Sequence, residues 1–516
     1  MRKSLLQLLP TPAEGRIRQS SSRRGNLLAL ISLGAVLTGC VANRAYRDRD
    51  SRPWIHEASP DQFVNGFQLD QYEPFGGERH RYDFSYIEFD EKGDFWDRRQ
   101  LGWTVQEIKR AAQTNDLVLV VYIHGWQNDA STLRGHDVSK IHCLLEHLAD
   151  ADGGRHRFFG VYLGWRGKSV PGGDGVFPDD SIPDLVSKAI LFVPHELSLY
   201  SRKNAATRIA GMPVTEAIFQ SVAAARNEAK RHGHGARSIL VGHSLGALVL
   251  EKAMAQALAA KVISEGETFT APADLVVLLN SAAESIYAKE MIDMLRRRNS
   301  APSNNPNTNQ VSADHPLLVS ITSKADSATG MLFPIGTSLS NAFGLFRKYE
   351  WDTKFGESSH NVSQRDYFTH TPGHNDLLIS HDAKPISGVA TKPTYQETDQ
   401  CNDEMLNAFQ RNLNETLTGA QGEIQFVTIG EGGEETKWQV TPRISNPRLN
   451  TPYWIVSVPK EIVREHSDIF NENALAMMAR IFRISNPDMA KPGITTTIAP
   501  RTMRLIDPGG KMPPSG

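Results

Sequence analysis

The sequence predicts an α/β fold in which a mostly parallel sheet is flanked by helices, and three observations carry that prediction. Short apolar runs recur at Leu117–Ile123, Ile239–Val241, Leu275–Leu279, Leu317–Ile321 and Tyr453–Val458. They lack the alternation of half-exposed strands, so they read as strands covered on both faces. Helix-forming stretches follow two of them: Ala247 to Ala260 after the second, and about Asn471 to Phe482 after the last. The second of these puts Ala474, Leu475, Met478, Ile481 and Phe482 on one face. With 516 residues there is room for one large α/β domain with insertions, or for two domains.

The run 117–123 ends in His124-Gly125-Trp126. Gly125 lets the backbone turn there, which would aim the Trp126 N–H toward a site beyond the strand end. His124 reads as a hydrogen-bonding structural residue. Next comes an amphipathic helix with Ile141, Leu144, Leu145 and Leu148 on one side and Cys143 among them. The chain has three cysteines. Beside Cys40, discussed below, Cys143 and Cys401 are left either to pair in an oxidising compartment or to stay as thiols, and both readings are open.

Residues 238–246, Ser-Ile-Leu-Val-Gly-His-Ser-Leu-Gly, are the most informative stretch of the chain. An apolar strand, a sharp turn and a helix meet at Ser244. Glycines two before and two after the serine fit a turn that brings strand and helix too close for side chains. The serine is then held in a strained conformation with its hydroxyl projecting from the sheet edge. A serine alcohol is a weak nucleophile, so it requires a base, a group that orients the base, and donors for an oxyanion. The N–H of Leu245, next after the serine, is a candidate donor alongside that of Trp126.

The acid is expected at the end of a later strand. Asp326 sits in the loop past Leu317–Ile321, and Glu284 is the weaker alternative one strand earlier. For the base, 17 histidines compete. His360, His370, His374 and His381 cluster with Asp376 and Asp382, but Pro372-Gly373 breaks any helical ligand spacing. No zinc signature is present, and these read as loop histidines, so no metal is expected. His466 lies between the strand at Tyr453–Val458 and the last helix, where a general base for this serine is needed.

The order Ser244, Asp326, His466 is one of three familiar chain orders of a Ser-His-acid triad. With His124-Gly125-Trp126, Gly242 to Gly246, Asp326-Ser-Ala-Thr, Phe333-Pro334, His466-Ser-Asp-Ile-Phe and Val161-Tyr-Leu-Gly-Trp-Arg-Gly167, the chain resembles the α/β-hydrolase superfamily. Specifically, it resembles the bacterial esterase and lipase-like members. The resemblance covers roughly residues 80–345 and 450–485. It implies the α/β-hydrolase fold and hydrolysis of carboxylic esters, of small molecules or lipids, through an acyl-serine, without metal or organic cofactor. Transfer of the acyl group to a lipid or glycan alcohol remains open, as does a non-catalytic lipid-anchored scaffold that keeps the fold.

At the N-terminus Arg16, Arg18, Arg23 and Arg24 precede the apolar run Leu27–Leu37 and then Leu37-Thr38-Gly39-Cys40. A basic segment, a short apolar segment and small residues before the cut make a secretory signal, too short to remain as a membrane span. Leu-Thr-Gly-Cys resembles a bacterial lipobox, which implies cleavage before Cys40 and lipid on its thiol. Val41 then points to the outer membrane, facing the periplasm.

The expected organisation is a signal over 1–39, a tether over 40–78 and a hydrolase core over 79–334. An insertion, lid or cap region over 335–450 separates the acid-bearing strand from the last strand. The core resumes over 451–485, and a Pro-rich tail follows over 486–516. The stretch Gly336–Phe346 fits either a lid helix or core packing. A net charge of −2 and pI near 6.8 leave no basic footprint for nucleic acid.

Overall fold

The apolar run at 117–123 forms a strand buried at every position, as do the later runs that the sequence marks out. The structure is a computed structural model. It describes residues 45–47, 62–64, 67–72, 82–126, 128–130, 137–166, 202–265, 268–296, 315–334, 337, 348–350, 361–387, 403–414, 423–429, 434–443, 451–486 and 502–504.

In chain order the strands are β1 (Gln62–Val64), β2 (Phe67–Tyr72), β3 (Tyr82–Glu88), β4 (Leu117–Ile123), β5 (Arg157–Gly164) and β6 (Ala236–His243). They continue with β7 (Thr268–Thr270), β8 (Leu275–Leu279), β9 (Leu318–Ser323), β10 (Lys348–Glu350) and β11 (Asn361–Ser363). The last are β12 (His381–Ser387), β13 (Ile424–Ile429), β14 (Glu435–Pro442), β15 (Tyr453–Val458) and β16 (Thr502–Arg504). The helices are α1 (Arg99–Ala112), α2 (Asp137–Asp152), α3 (Met212–Arg231) and α4 (Leu245–Glu265). After them come α5 (Ser285–Arg296), α6 (Gln364–Thr369), α7 (Asp403–Asn414) and α8 (Glu472–Ser485).

Twelve strands make one sheet in the order β1-β2-β3-β5-β4-β6-β8-β9-β15-β12-β14-β13. Every neighbouring pair from β3 to β12 is parallel. Antiparallel pairs extend both ends. Side chains of a strand alternate between faces, and the core splits accordingly. Leu117, Leu119, Val121 and Ile123 of β4 join α1, α3, α4 and α5 in one apolar layer. Val118, Val120 and Tyr122 join α2, α7 and α8 in the other. Both faces of the parallel strands are therefore covered, which is why their sequences are apolar throughout.

From β4 the chain crosses to β5 on one side, and from β6 it crosses to β8 on the other. The C-terminal ends of β4 and β6 thus flank the point where strand order reverses, the usual place for a site in an open parallel sheet.

Three sequence expectations differ from the structure. The 335–450 segment, expected as an insertion or cap, supplies β12, β14 and β13 to the main sheet beside β15. Its helix α7 packs on α8 and so extends the covering layer. Tyr453–Val458 is consequently an interior strand: β12 pairs with it in parallel through His381–Val456. Within the 40–78 tether, β1 and β2 pair onto the sheet edge. Within the 486–516 tail, β16 pairs with β7. Gly336–Phe346, apart from Thr337, and all of 1–40 lie outside the described residues. Among the described residues no helix is long and apolar enough to cross a membrane.

Candidate active site

Ser244 sits between the end of β6 and the start of α4 with φ +55, in the left-handed region that L-residues rarely adopt. Its neighbours hold it there. Ser244 N–H donates to Leu279 O at 2.9 Å, and its carbonyl accepts from Ala282 N–H at 3.1 Å and Leu248 N–H at 3.2 Å. The flanking glycines are required by close approach. A Cβ on Gly246 would lie 2.2 Å from Ile123 O, and one on Gly242 would lie 2.8 Å from Ala247 Cα. Side chains at these two positions would push the N-terminus of α4 off the ends of β4 and β6.

Asp326 lies in the turn after β9. Its Oδ1 accepts from Ala328 N–H at 2.9 Å and Thr329 N–H at 3.1 Å, and its Oδ2 accepts from the Thr329 hydroxyl. The chain then makes one π-helical turn, Ala328–Leu332. His466 arrives on the loop between β15 and α8. Its Nδ1 is 2.9 Å from Asp326 Oδ2 and its Nε2 is 2.7 Å from Ser244 Oγ. An ionised carboxylate only accepts, so Nδ1 carries the proton; a neutral imidazole then leaves Nε2 as the acceptor for the serine hydroxyl. Ser244, Asp326 and His466 are all buried. Burial alone would raise the Asp326 carboxyl. The attraction of His466 in its protonated form, with hydrogen bonds from His466 and Thr329, outweighs it and holds the group below its usual range.

The His466 loop is pinned at both ends. The His466 carbonyl accepts from Asn280 Nδ2 at 2.8 Å and His243 Nε2 at 3.0 Å. Asn280, at φ +44, also accepts the Ser323 N–H on Oδ1 at 3.0 Å, so one side chain ties the ends of β8 and β9 to the His466 loop. Asn471 caps α8 by accepting from Asn473 and Ala474 N–H, and donates to Ile462 O and Asp468 O.

On the other side of Ser244 lies the His124–Trp126 turn. A Cβ on Gly125 would lie 2.8 Å from Ser244 Cβ, so only glycine admits this approach. His124 Nε2 accepts the Trp165 N–H at 2.9 Å, which leaves Nδ1 to donate to Gly125 O at 2.9 Å. Burial lowers its pKa, in keeping with the neutral tautomer. Its ring stacks on Trp165, and its carbonyl accepts the Trp165 indole N–H. Trp126 follows Gly125, and Leu245 is the first residue of α4. Leu245 is thus next in the chain to the serine, and Trp126 next to the glycine that approaches it.

The rival candidates are engaged elsewhere. Glu284 pairs with Lys203 at 2.7 Å. His370 Nδ1 lies 3.1 Å from Thr369 Oγ1 and 3.3 Å from the Asp366 carbonyl, and His381 stacks on Trp454. His360 lies outside the described residues. Among the described residues no group of three His, Cys, Asp or Glu side chains is arranged to hold a metal ion. His374 has a role the sequence did not disclose: its Nε2 is 3.1 Å from Thr329 Oγ1. The Thr329 proton goes to Asp326, so His374 Nε2–H must be the donor. Burial lowers the His374 pKa against the opposing pull of Asp326. Cys143 is disulfide-bonded; its partner, Cys40 or Cys401, lies outside the described residues.

No family model and no curated protein matches the chain. A solved structure that does match is an uncharacterized protein from Pseudomonas aeruginosa, 12% identical, with a TM-score of 0.19. That match covers 47% of this chain and 42% of the other, less than half of either.

Proposed function

We propose that the protein is a serine hydrolase that cleaves carboxylic esters through an acyl-serine intermediate, as the α/β-hydrolase motifs imply. One observation carries the reading: a single buried imidazole bridges a serine hydroxyl and a buried carboxylate. His466 Nε2 takes the Ser244 proton as Oγ bonds to the ester carbonyl carbon, and the carbonyl oxygen becomes the oxyanion. Trp126 and Leu245 N–H groups receive that charge. His466 then passes the proton to the departing alcohol, and the C–O bond breaks to leave the acyl-serine. Water repeats the sequence and releases the carboxylic acid. Asp326 holds the Nδ1–H tautomer and stabilises the imidazolium throughout. The resemblance of Leu37-Thr38-Gly39-Cys40 to a lipobox supports a lipid anchor on Cys40, in the cell envelope.

A fluorophosphonate probe tests the reading. The expected result is a single adduct on Ser244, mapped by peptide mass spectrometry and lost in Ser244→Ala and His466→Ala. A folded wild-type protein that takes no label would overturn it.

A further inference from the structure

We infer that the sheet edge carrying Ser244 is the face the protein turns to a lipid bilayer, and that its ester substrates are acyl lipids drawn from that surface. The substrate half rests on the hydrolase reading above. The orientation half rests on two observations, the second taken together with the lipid anchor proposed for Cys40.

The first is where exposed apolar side chains fall. Among the described residues the exposed large hydrophobics are Tyr46, Trp96, Met212, Ile263, Met331 and Ile386. All but Ile263 stand at the C-terminal edge of the parallel strands. Tyr46 docks on Glu88, the last residue of β3, and Trp96 N–H donates to the Glu88 carbonyl. Met212 opens α3 beside the 91–93 turn, to which Arg208 is hydrogen-bonded. Met331 lies in the π-helical turn after Asp326, and Ile386 is near the C-terminal end of β12, beyond its parallel pairing with β15. Ile263 is in the last turn of α4, at the opposite edge. Five of these six thus share one end of the sheet, and the tyrosine and tryptophan among them suit a bilayer interface.

The second is how the chain leaves the domain. Tyr46 N–H donates to Glu88 Oε1 at 2.9 Å, and its hydroxyl donates to Asp129 at 2.6 Å. Arg47 is buried, with its guanidinium 3.5 Å from the Tyr86 ring centroid and donating to Ala130 O at 2.7 Å. These contacts pin the chain at the edge that holds Ser244. From Tyr46 back to the lipobox cysteine Cys40, an extended chain reaches only about 20 Å. The domain is about 30 Å deep along α4. A lipid on Cys40 therefore holds this edge, and not the opposite one, against the membrane.

The test uses the full chain with phosphatidylglycerol vesicles containing a diazirine-acyl lipid. Photolabelling is expected in peptides bearing Trp96, Met212 and Met331, at least tenfold above the peptide bearing Ile263. Hydrolysis of vesicle lipid esters is expected to fall about tenfold in Trp96→Ser/Met212→Asp, with short soluble esters cleaved as before and Ile263→Asp unchanged on both. Uniform labelling, no labelling, or labelling centred on Ile263 would overturn the orientation whatever the activity. Edge labelling by a protein whose Ser244 takes no fluorophosphonate would instead overturn the substrate half together with the hydrolase reading.

Discussion

His243, the residue before the serine, donates its Nε2 hydrogen to the backbone carbonyl of His466 at 3.0 Å. The strand that ends at Ser244 thereby grips the loop that carries His466. Asn280 supplies the second donor to the same carbonyl at 2.8 Å. Replacing His243 by Phe removes one of two restraints and leaves the ring volume. The expected outcome in steady-state ester hydrolysis is a kcat about tenfold lower with KM little changed, and a larger loss in His243→Phe/Asn280→Ala. A His243→Phe enzyme with unaltered kcat would mean that the loop is held by Asn280 alone.

The left-handed backbone of Ser244 stores strain in return for aiming its hydroxyl at His466 Nε2. Glycine adopts this conformation without the Cβ penalty. Ser244→Gly is therefore expected to abolish hydrolysis and raise unfolding free energy by about 1 kcal/mol. Ser244→Ala also abolishes hydrolysis but retains the strain. Chemical denaturation of the two variants side by side reads the difference.

Much of this was legible in the sequence because the parallel strands are covered on both faces. Their apolar runs, and the glycines around Ser244, are direct consequences of close packing. Ser244, Asp326 and His466, which the structure brings into one hydrogen-bonded row, could be grouped because each follows a strand end. What the sequence hid depends on three-dimensional neighbours. His374 and Thr329 meet across a loop contact with no spacing rule. Asn280 left only a faint trace, an asparagine directly after the apolar run Leu275–Leu279, where a positive φ favours that residue. The 335–450 segment looked like an insertion because β14 alternates buried and exposed positions and β12 is exposed over its last four, so neither shows a continuous apolar run.

The Thr329 hydroxyl joins His374 to Asp326, so the two should act as one unit. Thr329→Val and His374→Ala are each expected to lower kcat severalfold, and the double variant should cost no more than Thr329→Val alone. Thr329→Ser keeps the hydroxyl and should restore near-normal rates. Additive losses in that cycle would show that His374 acts by another route.

Cys143 lies on α2, which packs against α7, and α7 begins at Asp403, two residues after Cys401. Its disulfide partner is therefore expected to be Cys401, leaving Cys40 for lipid. A bridge closing so long a loop typically contributes about 2–5 kcal/mol. Reduction should lower the denaturation midpoint accordingly. Non-reducing peptide maps should show Cys143 joined to Cys401; a Cys143–Cys40 pair would exclude the lipid anchor outright.

Glu251, fully buried on α4, gives a pH dependence of the opposite sign to the usual carboxylate. Burial pushes its pKa from 4.5 up to about 7, aided by the charge of Glu284. Hydrogen bonds from Tyr453 and Ser281 only partly oppose this. The folded state thus keeps a proton that the unfolded chain releases near pH 4.5. Its contribution is fully present below that value and is lost as pH rises through about 7. At about 1.4 kcal/mol per pH unit, the loss reaches about 3 kcal/mol. Glu251→Gln cannot ionise, while its amide can still accept from one hydroxyl and donate to the other. The variant should match wild type at pH 4.5 and exceed it in Tm at pH 8. Equal Tm profiles across that range would show that Glu251 ionises at its ordinary pKa inside the fold.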